Sequence, residues 1–228
     1  AGGLPASAPV EDEKLLMKLD WNINDSHRAS LVYNYNDGFE IDQSDDSNEN
    51  LTLSNHFYKK GAELNSTVVS VYSDWTENFS TEVRLGHTKL VSEQRSTDAA
   101  SGFGEVQISS LANGGTIFIG PDDSRQSNEM DWTNDTLKLA GTYYLDDHTI
   151  TGGYETENLD IYNLFMQHTI GEYRFGGDRT RNTIGGASGL DDYELGIADD
   201  VYYNNSAGTN NPIDAAANFS YATHAVYA

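Results

Sequence analysis

The residues of this chain that could bind a cation are concentrated in acidic, polar segments. Asp42, Asp45, Asp46, Asn48 and Glu49 lie close together and offer the hard oxygen ligands that Ca²⁺ prefers. Their spacing lacks the glycine and the terminal glutamate of an EF-hand loop. We therefore interpret the segment as a solvated acidic loop. The same interpretation applies to three acidic pairs: Asp122-Asp123, Asp191-Asp192 and Asp199-Asp200.

Other side chains that carry out chemistry are scattered. The chain has no cysteine, which excludes disulfides and thiolate metal sites, and its six histidines (27, 56, 87, 148, 168 and 224) form no His-x-x-x-His or His-Glu-x-x-His motif. There is no Gly-x-Ser-x-Gly elbow, and Gly102-Phe103-Gly104 and Gly185-Gly186 are too sparse for a phosphate or dinucleotide loop. We therefore expect no enzymatic activity, no catalytic residues, no metal site and no cofactor.

Aromatic residues are the remaining candidates for ligand binding. Tyr162, Phe165, Tyr173 and Phe175 lie in one long polar stretch. They could line a ligand vestibule, because aromatic surfaces bind sugars and chelates. They could equally pack that stretch against itself, and this second interpretation is favoured. The ligand-binding residues are therefore left open.

Composition limits the classes of protein to which the chain can belong. With 36 acidic and 13 basic residues the net charge is -23, which argues against nucleic acid as a partner because phosphate neutralisation needs a basic surface. Only 37% of the 228 residues are hydrophobic, and no apolar run approaches the 18 or so residues of a transmembrane helix. So little apolar content suits a wall one layer thick better than a thick core.

Several segments alternate between apolar and polar residues with the period of two that is typical of strands. In the first, one face carries Leu15, Met17, Leu19, Trp21 and Ile23, and the other carries Lys14, Lys18, Asp20 and Asn22, with Leu16 as the exception. In the second, Ala29, Leu31, Tyr33 and Tyr35 share a face opposite Arg28, Ser30 and Asn34. A sheet built from such strands has one apolar face and one polar face that meets water.

The connections between these segments are of two kinds. Strands are predicted at 14–23, 27–36, 64–75, 79–92, 134–145, 148–158 and 217–228, and long loops at 37–63, 93–133 and 159–216. The strands pair across short turns at Asn24-Asp25-Ser26, Thr76-Glu77-Asn78 and Asp146-Asp147. The second long loop contains a predicted hairpin at 106–109 and 116–119, and the third has helical spacing at 159–166.

Short turns at one end and long loops at the other are typical of an outer-membrane β-barrel. The predicted fold class is all-β: an antiparallel meander that forms part of a transmembrane β-barrel wall with long extracellular loops. Seven strands leave two open edges, which lipid does not tolerate. The remaining strands are therefore expected from elsewhere in a longer polypeptide, of which residues 1–228 would be one partial barrel segment.

The sequence also resembles the barrel region of TonB-dependent outer-membrane receptors, and within them the Oar-like group. The resemblance spans nearly the whole chain and is carried by five segments: Lys18–Arg28, Ser73–Phe79, Gly120–Arg125, His148–Glu155 and His224–Ala228. It implies a 22-stranded barrel in the bacterial outer membrane, filled by a plug and driven through TonB. The implied partners are lipid, the rest of the barrel, the plug, and TonB through the plug region.

The resemblance implies uptake of a scarce ligand, such as an iron chelate, cobalamin, an oligosaccharide or a peptide. Neither a plug nor a TonB box is found in the sequence, and no ligand-contacting residue is carried over. One alternative is a soluble, acidic, extracellular all-β binding or adhesive module, stabilised by calcium or assembling into fibres. That alternative predicts two packed sheets, with Leu15, Leu19, Leu31 and Leu139 enclosed between them.

Overall fold

The chain folds almost entirely into β-structure. A computed structural model describes residues 2–3, 8–98, 101–109, 114–176 and 189–228. The glycine pair at 185–186 lies outside these residues. In the described part of the chain, no helix has the length and apolarity needed to cross a membrane.

Twelve strands and one short α-helix make up the described structure. In chain order the strands are β1 (Val10–Asn24), β2 (His27–Asp42), β3 (Leu51–Thr52), β4 (Tyr58–Thr76), β5 (Phe79–Ser96), β6 (Glu105–Ser109), β7 (Thr116–Ile119), β8 (Asn128–Leu145), β9 (His148–Phe165), β10 (Glu172–Phe175), β11 (Asp200–Tyr202) and β12 (Ala217–Tyr227). Helix α1 is Gly189–Leu195. Single 3-10 turns lie at Ser54–His56, Asp123–Arg125 and Pro212–Ala215.

The seven long strands form one antiparallel meander, which we call the wall. Its order is β1-β2-β4-β5-β8-β9-β12, and within the described residues β1 and β12 are its two edges. The fold class predicted from the sequence is thus confirmed. The two-residue turns Asp25-Ser26, Glu77-Asn78 and Asp146-Asp147 join strand pairs at one end, as predicted. At the first turn, the Asn24 side chain accepts backbone hydrogen bonds from Ser26 and His27, both at 2.9 Å.

Strand register separates the two faces of the wall. One continuous row of paired residues is apolar: Leu19, Leu31, Val69, Leu85 and Leu137. The neighbouring row, on the opposite face, is polar or charged: Asp20, Ser30, Ser70, Arg84, Lys138 and Glu155. We call these the apolar face and the polar face. Because successive side chains point to opposite sides of a strand, the alternation read from each segment becomes a property of the whole sheet.

The apolar face is not covered by a second layer. Leu15, Leu19, Leu31 and Leu139 are 46%, 63%, 37% and 42% exposed. A contiguous exposed apolar face is rare on soluble monomers and marks a surface that meets another phase or partner. The enclosure that the soluble alternative predicted is therefore absent from these four positions.

The strands extend further than the side-chain pattern indicated. Asp37–Asp42 pairs with Tyr58–Glu63, so the predicted loop 37–63 loses residues at both ends. Loops 93–133 and 159–216 are also shorter than predicted. β5 continues to Ser96, β8 already begins at Asn128, and β9 continues to Phe165. The helical spacing at 159–166 was misleading, since most of that segment is strand. The strands remain paired through their backbones beyond the membrane. There both faces of the sheet meet water, so apolar and polar side chains need not alternate.

Three connections at the long-loop end fold together into a second unit, which we call the loop layer: residues 43–57, 97–127 and 166–216, as far as they are described. Its five strands have the order β11-β10-β6-β7-β3. The predicted hairpin is confirmed, since β6 and β7 pair antiparallel, whereas β6 with β10 and β3 with β7 are parallel. Its small apolar core contains Val106, Ile108, Ile119 and Phe175.

Candidate functional site

Two clusters of ionisable residues, each with at least one buried member, lie in the loop layer. The first, the His56 cluster, is made of Asp45, His56 and Asp122. The His56 ring is fully buried, with Nδ1 3.0 Å from the Gly120 carbonyl oxygen and Nε2 3.0 Å from Asp45 Oδ2. Asp122 Oδ2 lies 3.9 Å from the same Nε2. Gly120 has a φ of 84°, and a Cβ there would lie 2.3 Å from the Gly104 carbonyl oxygen, so this close approach requires glycine.

Electrostatics favour a charged His56. Burial alone would lower its pKa, but the hydrogen bond with Asp45 and the charges of Glu105 and Asp122 outweigh burial, so the pKa of His56 is raised. The same hydrogen bond lowers the pKa of Asp45, although partial burial opposes the change. Burial raises the pKa of Glu105 to about 7, against the Gln107 hydrogen bond and the His56 charge, and Asp123 adds to the rise. Together they form a network, buried at His56 and Glu105 and open at Asp45, with both hydrogen-bond partners and counter-charges.

Arg125 connects the His56 cluster to the wall. Its guanidinium lies 3.4 Å from Asp122 Oδ1 and 4.2 Å from the centre of the Tyr58 ring, and it donates to the Tyr58 hydroxyl at 3.1 Å. The Tyr58 hydroxyl in turn donates to Asp42 at 2.8 Å. Since Tyr58 begins β4 and Asp42 ends β2, this chain of contacts fixes the loop layer to the ends of two wall strands.

The second group, the His168 cluster, is made of Asp123, His168 and Glu172. His168 Nε2 lies 2.9 Å from Asp123 Oδ2 and 2.6 Å from Glu172 Oε2, and Glu172 is fully buried. The other Glu172 oxygen, Oε1, accepts hydrogen bonds from Gln107 at 2.9 Å and from Arg174. Two segments distant in the chain, one with Asp123 and the other with His168 and Glu172, thus present ionisable groups to one point.

The polar face of the wall carries a third concentration of charge, near the short turns. Glu82 accepts ion pairs from Arg84 at 2.9 Å and from Lys138 at 3.0 Å, and Arg28 lies over the Tyr72 ring at 4.7 Å. Arg28, Tyr72, Glu82 and Lys138 line a concavity of about 580 Å³, and Arg84 lies next to it, paired with Lys138. The lining also includes Asn22, Asp74 and Thr142. Three of the 13 basic residues are collected here in an otherwise strongly acidic chain. Such a surface suits a polar or acidic protein segment.

Towards the loop layer the same face becomes apolar. A continuous row of paired residues across five strands consists of Leu64, Leu90, Trp132, Ile161 and Phe219. At this level the opposite face is polar, since its paired row reads Asn65, Lys89, Thr133, Asp160 and Ser220. We call the first row the aromatic row. The reversal shows that the apolar face ends well below the loop layer.

The residues singled out in the sequence are placed as follows. Tyr162, Phe165, Tyr173 and Phe175 do not form one vestibule: the first two are in β9, and only Phe175 joins the loop-layer core. Tyr173, on the same short strand, is 38% exposed. Of the acidic loop, Asp45 enters the His56 cluster and Asp42 bonds to Tyr58. Asp192 is buried in α1, and Asp199 accepts a hydrogen bond from the Gly176 backbone.

Sequence reasoning missed the buried glutamates. Glu105 and Glu172 are 1% and 0% exposed, and Gln107 bridges them, with Nε2 2.6 Å from one and 2.9 Å from the other. The only local signal was alternation in β6, which places Glu105 and Gln107 on the face opposite Val106 and Ile108. Nothing in the local sequence indicated that β10 would pair with β6.

Comparison with known proteins identifies the wall. The family model described as an outer membrane beta barrel domain matches residues 4–228. Searches of curated proteins and of solved structures gave no match. The family match accounts for a meander whose exposed apolar face would otherwise be unexplained, since such a face meets lipid in a barrel. The chain therefore belongs to the outer-membrane β-barrel family and is a protein of the bacterial outer membrane.

Proposed function

We propose that this chain forms part of the barrel of a TonB-dependent receptor that imports a scarce ligand. The ligand would be an iron chelate, cobalamin, an oligosaccharide or a peptide. The observation that carries the proposal is the composition of the polar face, which would line the lumen. It changes from the aromatic row beneath the loops to a charged concavity near the short turns. A ligand entering from outside would meet stacking surfaces first and charged groups later.

The charged concavity is suited to contact with a plug. Arg28 and Lys138 line it and Arg84 lies beside it, and all three would face the lumen, with Glu82 and Glu155 as counter-charges. Charged residues of a folded plug in the lumen would form ion pairs with these wall residues in place of the pairs within the wall. Those contacts would break when TonB pulls on the plug. The proposal thus assigns the concavity a protein partner rather than a catalytic role, and no enzymatic activity is proposed.

The loop layer supports uptake in a second way. In the described residues its parts come from all three long connections, and its buried charges connect them to the wall through Arg125 and Tyr58. A layer of this kind would cover part of the barrel mouth on the outside. It would restrict entry to ligands that fit between the layer and the aromatic row.

The proposal is tested by dependence on TonB. Four cultures would each be supplied with one ligand, one from each class, under conditions in which growth relies on this protein. Deletion of tonB should abolish growth on at least one of the four ligands. Crosslinking in cells should also recover TonB with the protein. Growth that is unchanged by tonB deletion, together with no recovered TonB, would rule out energised uptake while leaving the barrel assignment intact.

Variants of the aromatic row locate the ligand path. Trp132→Ala and Phe219→Ala should weaken binding of the imported ligand, because each removes a surface on which a ring or sugar can stack. The matched control is Trp21→Ala, which removes an aromatic ring from the apolar face and should leave ligand binding unchanged. Equal loss from all three variants would indicate a general defect of the barrel.

A further inference from the structure

We infer that Asp123, His168 and Glu172 form a binding site for a divalent transition-metal cation, with Zn²⁺ as the best fit. The inference is independent of the proposed transport function. It also departs from the expectation drawn from the sequence, which found no metal-ligand spacing. The three residues come from the turn after β7, the turn after β9 and the start of β10, so only the tertiary structure assembles them.

Two carboxylate oxygens flank the Nε2 atom of His168. Its Nε2 has carboxylate oxygens at 2.9 Å and 2.6 Å, yet neither contact forms a hydrogen bond, because the oxygens lie away from the N–H direction. Two oxygens that flank a ring nitrogen in this way occupy the positions of further ligands around a shared ion. All three ligand atoms lie within 4.8 Å of one another.

One buried carboxylate oxygen of the cluster has no hydrogen-bond partner. Glu172 is 0% exposed, and its Oε2 has no hydrogen-bond partner. A buried carboxylate oxygen without a partner costs free energy unless a cation or a donor reaches it. The remaining oxygens are already occupied, since Glu172 Oε1 accepts from Gln107 and Asp123 Oδ1 accepts from the Ser124 hydroxyl at 2.9 Å. Glu172 Oε2 therefore has no donor within reach, while Asp123 Oδ2, the other oxygen beside His168, accepts only a long hydrogen bond from Gln167 at 3.3 Å.

The surroundings orient the ligands. The His168 ring stacks on Tyr202 with a centroid distance of 5.3 Å, and Nδ1 lies 3.2 Å from the Asn204 side-chain amide. When this amide is turned to present its oxygen, it accepts the Nδ1 proton of a metal-bound imidazole. One nitrogen and two oxygen ligands, which a water molecule would complete to four, suit Zn²⁺ and do not suit Ca²⁺, which prefers oxygen alone.

The His56 cluster provides the internal comparison. It has the same residue types, but both nitrogens of His56 are hydrogen-bonded, to Gly120 and to Asp45. Asp122 is also engaged, by Arg125 and by the backbone of Ser124. No buried ligand atom of this cluster is left without a partner, so it has a structural explanation that the His168 cluster lacks.

A bound cation would act as a clamp. It would join the 97–127 connection, through Asp123, to the 166–216 connection, through His168 and Glu172. Because a ligand that binds only the folded state stabilises it, Zn²⁺ should protect both connections against unfolding. The wall, which contributes no ligand, should be unaffected.

The test is titration of Zn²⁺ into the protein purified in detergent and stripped of metal with a chelator. One equivalent should bind saturably, and it should slow proteolysis of the loop layer, whereas Ca²⁺ and Mg²⁺ should not. His168→Gln and the isosteric Glu172→Gln should each weaken Zn²⁺ binding about tenfold or more. Both variants should match the unmodified protein in their proteolysis rate when chelator is present, which shows that the layer still folds.

Two control variants sharpen the test. His87→Gln disrupts an exposed histidine–carboxylate pair, His87 to Asp135 at 2.7 Å, and should leave Zn²⁺ binding unchanged. His56→Gln removes the histidine of the other cluster and should also retain binding. Absence of saturable binding, or loss of binding with His56→Gln but not with His168→Gln, would overturn the inference.

Discussion

The wall and the loop layer are built on opposite principles. The wall consists of long antiparallel strands, each paired with its neighbours in the chain, and its apolar side chains remain exposed. The loop layer consists of short strands, two pairs of them parallel, that bring together distant parts of the chain around a small apolar core. It buries charge, whereas the wall displays it on one face.

The difference follows from the solvent that each region meets. A lipid-facing surface needs no second layer, because the bilayer itself removes the apolar side chains from water. The loop layer is exposed to water and must supply its own core, its own counter-charges and its own closure. We therefore expect mutations in the two regions to act independently, and the following experiments test that expectation.

The largest effect is expected from Phe175→Ala in the loop-layer core. Phe175 is buried and packs edge-to-face on Tyr193 with a centroid distance of 5.3 Å, so its removal should cost the layer about 3–5 kcal/mol of stability. Pulse proteolysis of the loop layer measures this change. Tyr173→Ala, on the same strand but exposed, should cost less than about 1 kcal/mol. Loss of barrel assembly with Phe175→Ala would show that the two regions fold as one unit.

The second experiment places charge on the wall. Leu31→Arg or Leu139→Arg should impair insertion by about 2–4 kcal/mol, because the side chain would enter lipid. Leu19→Arg should act in the same direction. The controls Ser30→Arg and Asn22→Arg introduce the same charge on the polar face. The yield of refolding into lipid vesicles distinguishes the apolar-face variants from the polar-face controls. It is measured from the band of folded protein on an electrophoresis gel run without boiling. Equal tolerance would contradict the assignment of the two faces.

A smaller effect is expected from pH, and only in the loop layer. Since the pKa of His56 is raised in the folded state, its contribution to stability is complete below about pH 6.5. That contribution should be lost as the pH rises through the raised pKa. Over this range His56 loses the proton that Asp45, Glu105 and Asp122 stabilise. Hydrogen exchange of β6, β7 and β10, measured with chelator present, should show declining protection over this range.

His56→Gln is the matched variant for the pH experiment. The variant should show a shallower decline, although not a flat one, because Glu105 titrates in the same direction with a pKa of about 7. Protection that increases with pH in the unmodified protein would contradict the charged state assigned to His56. The wall strands provide the internal reference in the same samples.

The smallest effect is expected at a short turn of the wall. Asp146 has a φ of 48°, a left-handed conformation that glycine adopts at less cost. Asp146→Gly should therefore stabilise the β8–β9 hairpin by less than about 1 kcal/mol, while the same change at Asp147, which lacks a positive φ, should not. Thermal unfolding in detergent measures the difference. Destabilisation by Asp146→Gly would show that its side chain has a role beyond the turn.

How far the sequence predicted this structure depends on the range of the signals. The faces of β1 and β2 were correctly assigned because Leu19 and Leu31 belong to runs in which apolar and polar residues alternate clearly. The hairpin of β6 and β7 was also predicted from two short runs and a glycine-containing turn. The strand ends were predicted less well: Asp37–Asp42 and Tyr58–Glu63 pair above the apolar band, where polar side chains occupy both faces.

The candidate sites were beyond such signals. His168 is 45 residues from Asp123, and Gln107 is 65 from Glu172, so no local spacing relates them. The polar row and the aromatic row likewise depend on register between strands, which sets Trp132 beside Leu90 and Ile161. A pattern within one strand gives the face of a residue but not its neighbours.

By itself, the sequence determined the wall: its strands, its short turns and its two faces follow from a period of two and from turn-forming residues, which act over a few positions. Only the tertiary structure decided the loop layer, with its parallel pairings and its two histidine clusters. The physical reason is that burying charge requires partners from several segments at once, and these segments meet because the wall holds their ends side by side.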